Sequence, residues 1–231
     1  MLDVGTARRP LPPGLRPPEG RVDADVAARR RLAASLRRLS ELAVTSAATE
    51  STLVSAAELA ERAERALAAA PTARFADERE RRGDARRSPS WADRGSVMGR
   101  ANPIAPPLDV WMEGPLAVAE VVYDARYEGA PGFVHGGHVA LAFDQLGGVV
   151  VAERSVGALT GRLEVRYRKP TRLHRTIRYE AVLDEAAGRL AHVRVRALDG
   201  DEETAEAKLA FVELDPTHFE ALVAAVPAPR P

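Results

Sequence analysis

A histidine, two glycines and an aspartate are spaced so that they could act together on a carbonyl group. His135 is followed by Gly136 and Gly137, and Asp144 comes nine residues after the histidine. The apolar segment 136–154 is long enough for a helix that begins at the glycine pair. A helix N-terminus presents unpaired N–H groups and a partial positive charge, and glycine lets a ligand approach the backbone. The pattern therefore predicts that the Gly136 and Gly137 amides polarise a carbonyl oxygen.

Asp144 is an acid within an otherwise apolar helix. A charge in such surroundings is costly unless it has a partner or a chemical task. Two interpretations are open: a catalytic carboxylate, or a buried structural carboxylate that caps a neighbouring loop.

The elements around these residues alternate in an order that constrains the fold. A strand is predicted over 116–126, followed by the long helix and then by four segments with strand-like alternation at about 162–168, 174–185, 188–198 and 202–214. Short connections require antiparallel pairing, and the apolar helix is the only element that can cover the sheet. The order predicts an α+β domain in which a curved antiparallel sheet wraps around one long central helix.

The motif residues resemble those of a known family. The run Pro131-Gly-Phe-Val-His135-Gly-Gly137, the later Asp144, Thr160 at the start of the next strand and Tyr167-Arg-Lys-Pro170 are similar to hotdog-fold thioesterases. The members in question are those of the phenylacetate-degradation and 4-hydroxybenzoyl-CoA type. The resemblance covers roughly residues 108–215 and implies hydrolysis of an acyl-CoA thioester to a free acid and coenzyme A.

The resemblance also implies roles for individual residues. Asp144 would be the nucleophile or the general base, Thr160 would hold the water or orient the carboxylate, and His135 would be an orienting hydrogen-bond partner. Candidate substrate contacts are Phe133, Val134 and Phe143 for the acyl group, and Arg168 and Lys169 for the phosphates of coenzyme A. Core packing explains the two phenylalanines equally well, and simple solvation of a polar strand face is the commoner explanation for Arg168 and Lys169. Some members carry an asparagine where this chain has Gly129.

Oligomeric state follows from the same spacing. Gly137 and Asp144 lie on one helix face but about 10 Å apart along the axis. One carbonyl could reach both groups if the glycines came from one subunit and the aspartate from another. Members of the family that this chain resembles build their sites in this way across a dimer, so we expect a homodimer or homotetramer. The substrate is expected to be an acyl-CoA or an acyl-carrier-bound thioester, with no metal and no organic cofactor. The alternatives are a dehydratase of the same fold and a non-catalytic module that binds an acyl ligand while its helical extension binds a partner.

The rest of the chain divides by composition. We expect a disordered arm at 1–22, a helical extension at 23–71, a charged linker at 72–107, the hotdog domain at 108–215, and a short helix and tail at 216–231. Within the extension, Ser55 and Glu58 form a capping-box pattern that predicts the start of a second helix.

Composition excludes several other classes of function. The chain has no cysteine, so disulfides and a cysteine nucleophile are excluded. The 33 basic and 33 acidic residues balance, which gives no general case for nucleic-acid binding. No apolar run reaches the roughly 20 residues that span a bilayer, and the N-terminus lacks a secretory pattern. A cytoplasmic protein is expected.

Overall fold

The computed structural model describes residues 7–12, 15, 24–70, 89–106, 108–154, 157–215, 217–218, 221–222 and 225. The α-helices with defined bounds are α1 (Ala24–Thr45), α2 (Glu50–Ala68), α3 (Pro89–Arg94) and α4 (Gly136–Ala152), and a short 3₁₀ helix spans Ala125–Tyr127. Seven strands are β1 (Arg8–Arg9), β2 (Asp109–Glu113), β3 (Leu116–Val122), β4 (Ala158–Tyr167), β5 (Thr176–Ala187), β6 (Leu190–Asp199) and β7 (Glu202–Glu213).

The strands form one antiparallel sheet in the order β1-β2-β3-β5-β6-β7-β4. Two tight connections set much of this register. Ala187 pairs with Leu190 and Asp199 with Glu202, so that two residues make each turn. Gly188 and Gly200 open these turns with φ values of 58° and 64°, a conformation that side chains with a Cβ rarely adopt. The β5-β6-β7 meander is thereby aligned under the central helix.

Helix α4 covers one face of the sheet. Its buried side includes Val139, Phe143 and Leu146, and it packs against strands β3 to β7. The alternating residues of β6, such as Val193 and Val195, face it from the sheet. The predicted architecture of a curved antiparallel sheet around one apolar helix is confirmed.

One glycine sets how closely α4 can approach the sheet. A Cβ at Gly147 would lie 2.9 Å from Cε2 of Phe211 and 3.2 Å from Cδ2 of Leu209. The neighbouring Gly148 has no such neighbour within 4 Å. Gly147 therefore serves close packing, whereas Gly148 does not.

The expected disordered arm and linker are wrong where the structure describes them. Arg8–Arg9 pairs with β2, the Arg8 guanidinium lies 3.8 Å from the centre of the Trp111 ring, and Leu11 is buried. In the expected linker, Val97 and Met98 are buried. The arm was predicted from its Pro, Gly and Arg content and the linker from its charge, but apolar residues in both segments join the core. The segment 71–88 and most of 216–231 lie outside the described residues.

The helical extension consists of α1 and α2, and α2 begins earlier than expected. Thr49, not Ser55, is its N-cap, and its side chain accepts a hydrogen bond from the N–H of Thr52. Ser55 and Glu58 lie within the helix. The capping-box prediction was wrong because Ser and Thr occur at several positions in this stretch, and only one of them has the extended backbone of a cap.

Candidate functional site at the start of the central helix

The N-terminus of α4 is capped by the motif histidine. The N–H of Gly137 donates to Nδ1 of His135 at 3.0 Å, and the N–H of His138 donates to the His135 carbonyl at 2.9 Å. The Nδ1 atom therefore carries no proton in this arrangement. Among the residues that the structure describes, the N–H of Gly136 has no partner, so Gly136 rather than Gly137 offers a free amide to a ligand.

A tyrosine fixes the same helix end from the sheet. The Tyr167 hydroxyl, at the end of β4, donates to the Gly136 carbonyl at 2.7 Å. Its ring also covers Gly136, where a Cβ would come within 3.0 Å of Cζ. The peptide between Gly136 and Gly137 is thus held at its oxygen by Tyr167 and at its N–H by His135. Sequence reasoning noted Tyr167 only as part of a family-like run and gave it no role.

Asp144 and Thr160 are brought together at the surface. The Thr160 hydroxyl donates to Oδ1 of Asp144 at 2.7 Å. Asp144 is half-buried and Thr160 is exposed on the edge strand β4, so water can reach the carboxylate. From the sequence, Thr160 was expected to hold the water or to orient the carboxylate, and Asp144 was expected in an apolar setting. The aspartate instead lies on the open face of the helix.

That open face also contains small and apolar residues. Gly137 and Leu141 are exposed, and Ala140 and Gly148 are half-buried. With Asp144 they recur every three, four or seven residues and so lie along one side of α4. The free amide of Gly136 and the carboxylate of Asp144 stand about 12 Å apart along the helix axis, from eight residues at 1.5 Å each.

The predicted substrate contacts divide into two groups. Phe143 is wholly buried, edge-on to Tyr179 with 5.7 Å between ring centres, and therefore belongs to the core of its own subunit. Val134 is buried too, and its N–H donates to the Thr171 carbonyl at 2.8 Å. Only Phe133 remains partly exposed beside the helix N-terminus. The prediction of an acyl contact is corrected for Phe143, because the apolar helix buries it instead.

The two cations proposed for phosphate contact already have acidic partners. Arg168 forms ion pairs with Glu203 at 2.8 Å and Glu206 at 2.7 Å, and Lys169 pairs with Glu202. Arg168, Lys169 and Glu202 are exposed and the other two glutamates are half-buried, so solvent weakens these pairs. Phosphate binding there would have to displace the glutamates.

Gly129 stands where some family members carry asparagine, and the structure shows no room for a side chain. A Cβ at this position would lie 2.8 Å from Cα of His135. The loop is closed here by hydrogen bonds from the Gly129 N–H to Phe133 and from the His135 N–H to Tyr127. The contact that asparagine makes in those members is therefore absent from this position.

Burial shifts the protonation of two groups behind the motif. It lowers the pKa of His138, with a smaller contribution from the nearby His135 charge. It also raises the pKa of Tyr127, which packs edge-on against His138, to about 12. Both are thus neutral near pH 7 and serve as packing behind the helix N-terminus.

Other features of the described residues point away from a different kind of site. No group of three or more potential ligands that could hold a metal ion occurs among them. A depression of about 620 Å³ lies on the polar face of the sheet, between residues such as Arg166, Arg194 and Lys208. None of the motif residues lines it, and charged strand faces of this kind are commonly solvated. No helix in the described part of the chain has the length and apolarity needed to cross a membrane.

Comparisons with known proteins show which part of the chain has relatives. Residues 131–206 match the family model of the thioesterase superfamily. The acyl-coenzyme A thioesterase THEM4 of Mus musculus is 35% identical over 91 residues, which cover 38% of this chain and 39% of the relative. The Rattus norvegicus protein of the same name is 32% identical over 91 residues, with the same shares. The match thus spans about two fifths of the length of these curated relatives.

A solved structure extends the comparison to most of the chain. The crystal structure of a thioesterase superfamily protein superposes with a TM-score of 0.69 at 23% identity and covers 90% of this chain and 98% of that one. At this identity the likeness concerns the fold, including elements that precede the matched segment. The segment 131–206, which matches the model of the thioesterase superfamily, contains the capped helix N-terminus, Asp144 and Thr160.

Proposed function

We propose that this protein hydrolyses acyl-CoA thioesters to a free acid and coenzyme A. The observation that carries the proposal is the Thr160–Asp144 hydrogen bond of 2.7 Å on the water-accessible face of α4. A carboxylate held by a hydroxyl and open to solvent suits the activation of water or direct attack on a carbonyl carbon. The superfamily match and the curated relatives named acyl-coenzyme A thioesterases support the substrate class.

The amide of Gly136 polarises the thioester carbonyl. It is the free N–H at the positive end of the helix, and the adjoining peptide is fixed by Tyr167 and His135. A donor fixed in advance stabilises the negative charge that develops on the carbonyl oxygen, at no reorganisation cost during the reaction. Gly137 contributes through its bond to His135 rather than as a second donor.

Asp144 can complete the reaction in two ways. As a general base it removes a proton from water while the oxygen adds to the carbonyl carbon, and the tetrahedral intermediate expels the coenzyme A thiolate. As a nucleophile it forms an acyl-aspartyl anhydride with loss of the thiolate, and water then cleaves the anhydride. Thr160 orients the carboxylate in both routes. The products are the acid and the thiol, and neither route calls for a metal or organic cofactor.

Self-association completes the site. Because about 12 Å separates Gly136 from Asp144 along the axis, one carbonyl reaches both groups most readily when they come from different subunits. Strand β4 forms an outer edge of the sheet, pairs only with β7 among the described strands, and exposes Leu159 and Tyr167. Free edges of this kind pair readily with another strand. A homodimer is therefore proposed, and a tetramer is compatible with it.

The test is release of free thiol from a panel of aryl-CoA, short-chain and long-chain acyl-CoA thioesters, with acyl carrier protein thioesters as a second panel. Turnover of one class well above the buffer rate is the expected result, and the ranking gives the acyl preference. If acyl-CoA binds but is recovered intact from both panels, the protein is a binding module and the proposal fails. A cytoplasmic location stays a prediction.

A further inference from the structure

Helix α2 carries an apolar face that its own protomer leaves open. None of its described residues is buried. Leu53, Leu59 and Leu67 are 50%, 59% and 54% exposed, and Ala60 and Ala63 lie between them on the same side. Amphipathic helices gain most of their stability by burying this face against another element. We therefore expect the apolar face of α2 to pack against another element.

Helix α1 is attached on one side and open on the other. Its attached side buries Ala33, pairs Arg30 with Asp93 at 2.9 Å, and directs Arg37 to the Asn102 carbonyl at 2.8 Å. The open side carries three leucines at spacings of seven and three residues. They are Leu32, Leu39 and Leu42, with exposed fractions of 37%, 39% and 60%.

The two open faces complement each other in size, length and charge. Leucines project from both faces, and the alanines between the α2 leucines leave room for the leucines of α1, so the helices can pack closely. The helices measure about 33 and 28 Å, from 22 and 19 residues at 1.5 Å each. Helix α1 carries five arginines and two acids, and α2 carries four glutamates and two arginines. Opposite net charges favour their pairing.

We propose that α2 of one copy covers the leucine face of α1 of a second copy, and the reverse, so that four helices pack across a two-fold axis. Within one protomer the α1 leucines are open and α2 has no buried residue, so each face is left for another chain. A two-fold axis supplies both pairings at once. The pairing does not depend on thioester hydrolysis and can be tested without a substrate.

Cysteine cross-linking tests the pairing directly, because the chain has no cysteine of its own. Ser35, exposed between Leu32 and Leu39, is near the middle of α1, and Ala60 is near the middle of α2. These two sites come close whether the helices pack parallel or antiparallel. Full-length Ser35→Cys and Ala60→Cys chains, one with a larger tag, are co-expressed and oxidised. Glu58→Cys, exposed on the opposite side of α2, replaces Ala60→Cys in the control.

The expected result is a heterodisulfide in most of the Ser35→Cys with Ala60→Cys sample and little of it with Glu58→Cys. A double variant with both cysteines in one chain should likewise migrate as a cross-linked dimer. Migration as a cross-linked monomer would mean that the helices pair within one chain, and absence of any cross-link would mean that α2 covers another surface. Either outcome overturns the proposal. Size-exclusion chromatography of the same samples shows whether the chains still form a dimer through the β4 edge. A failed cross-link in a sample that remains dimeric therefore concerns the helix pairing alone.

Discussion

At the scale of single residues, Thr160 is held to Asp144 by one hydrogen bond that a matched pair of variants can isolate. Thr160→Val keeps the shape and removes the donor, whereas Thr160→Ser keeps the donor. Hydrogen bonds to charged groups contribute about 1.5–3 kcal/mol, so kcat should fall about 10- to 100-fold in the valine variant. Steady-state kinetics with the best thioester measures this. A valine variant as active as wild type would remove Thr160 from the mechanism.

Tyr167 should affect turnover more than binding. Tyr167→Phe keeps the ring over Gly136 and removes the hydroxyl that donates to its carbonyl. A neutral hydrogen bond contributes about 0.5–1.5 kcal/mol, which predicts a fall in kcat of about 2- to 10-fold with KM little changed. Because the side chain is 52% exposed, Tm should stay near that of wild type. A change in KM alone would contradict a role in positioning the helix end.

Residue types and spacing selected the candidate residues, and the structure shows which of them lie together. Asp144 and Thr160 were identified because an acid in an apolar helix and a hydroxyl on the next strand stand out in the sequence. The engagement of the Gly137 amide by His135 was not predictable, since it depends on the rotamer of one side chain. Phe143 was misassigned because an apolar residue beside a motif looks the same whether it faces the ligand or the core.

At the scale of elements, substitutions of two adjacent glycines in α4 distinguish the effect of helix propensity on stability from the effect of packing. Alanine favours a helix over glycine by about 1 kcal/mol at either position. At Gly147 that gain is opposed by contact with the buried Phe211 ring, and overpacking of this kind costs about 1–3 kcal/mol. Gly148→Ala should therefore raise Tm and Gly147→Ala should leave it unchanged or lower it, as measured by thermal unfolding. Equal effects of the two substitutions would contradict the close approach of α4 to the sheet.

The helices and strands were predictable where apolar residues recurred regularly along a whole segment. The central helix and strands β5 to β7 followed from apolar periodicity and from turn glycines such as Gly188. Strands β1 and β2 were missed, because Arg8–Arg9 is too short to show alternation and β2 follows a run of prolines. Strand β2 pairs with the next strand, β3, across a tight turn, whereas β1 pairs with β2, which lies far from it in the sequence.

At the scale of the whole molecule, two buried tyrosines join β5 to the residue that follows its neighbouring strand β3. The hydroxyls of Tyr123 and Tyr179 lie 3.0 Å apart, and burial raises the pKa of both. Phenylalanine at one position leaves the other hydroxyl unpaired at a cost of about 1–3 kcal/mol, whereas phenylalanine at both removes the penalty. In denaturant unfolding, the losses of unfolding free energy in the two single variants should add up to much more than the loss in the double variant. Additive losses would mean that the hydroxyls find other partners.

In the proposed hydrolysis, Asp144 acts chemically rather than structurally. The decisive measurement compares wild type with Asp144→Asn on the best acyl-CoA, and records both kcat and the Kd of the substrate. Loss of a catalytic acid or base predicts a fall in kcat of at least about 100-fold, with Kd and Tm close to those of wild type. If Asp144→Asn binds and hydrolyses the substrate at nearly the wild-type rate, the site proposed at the central helix is wrong.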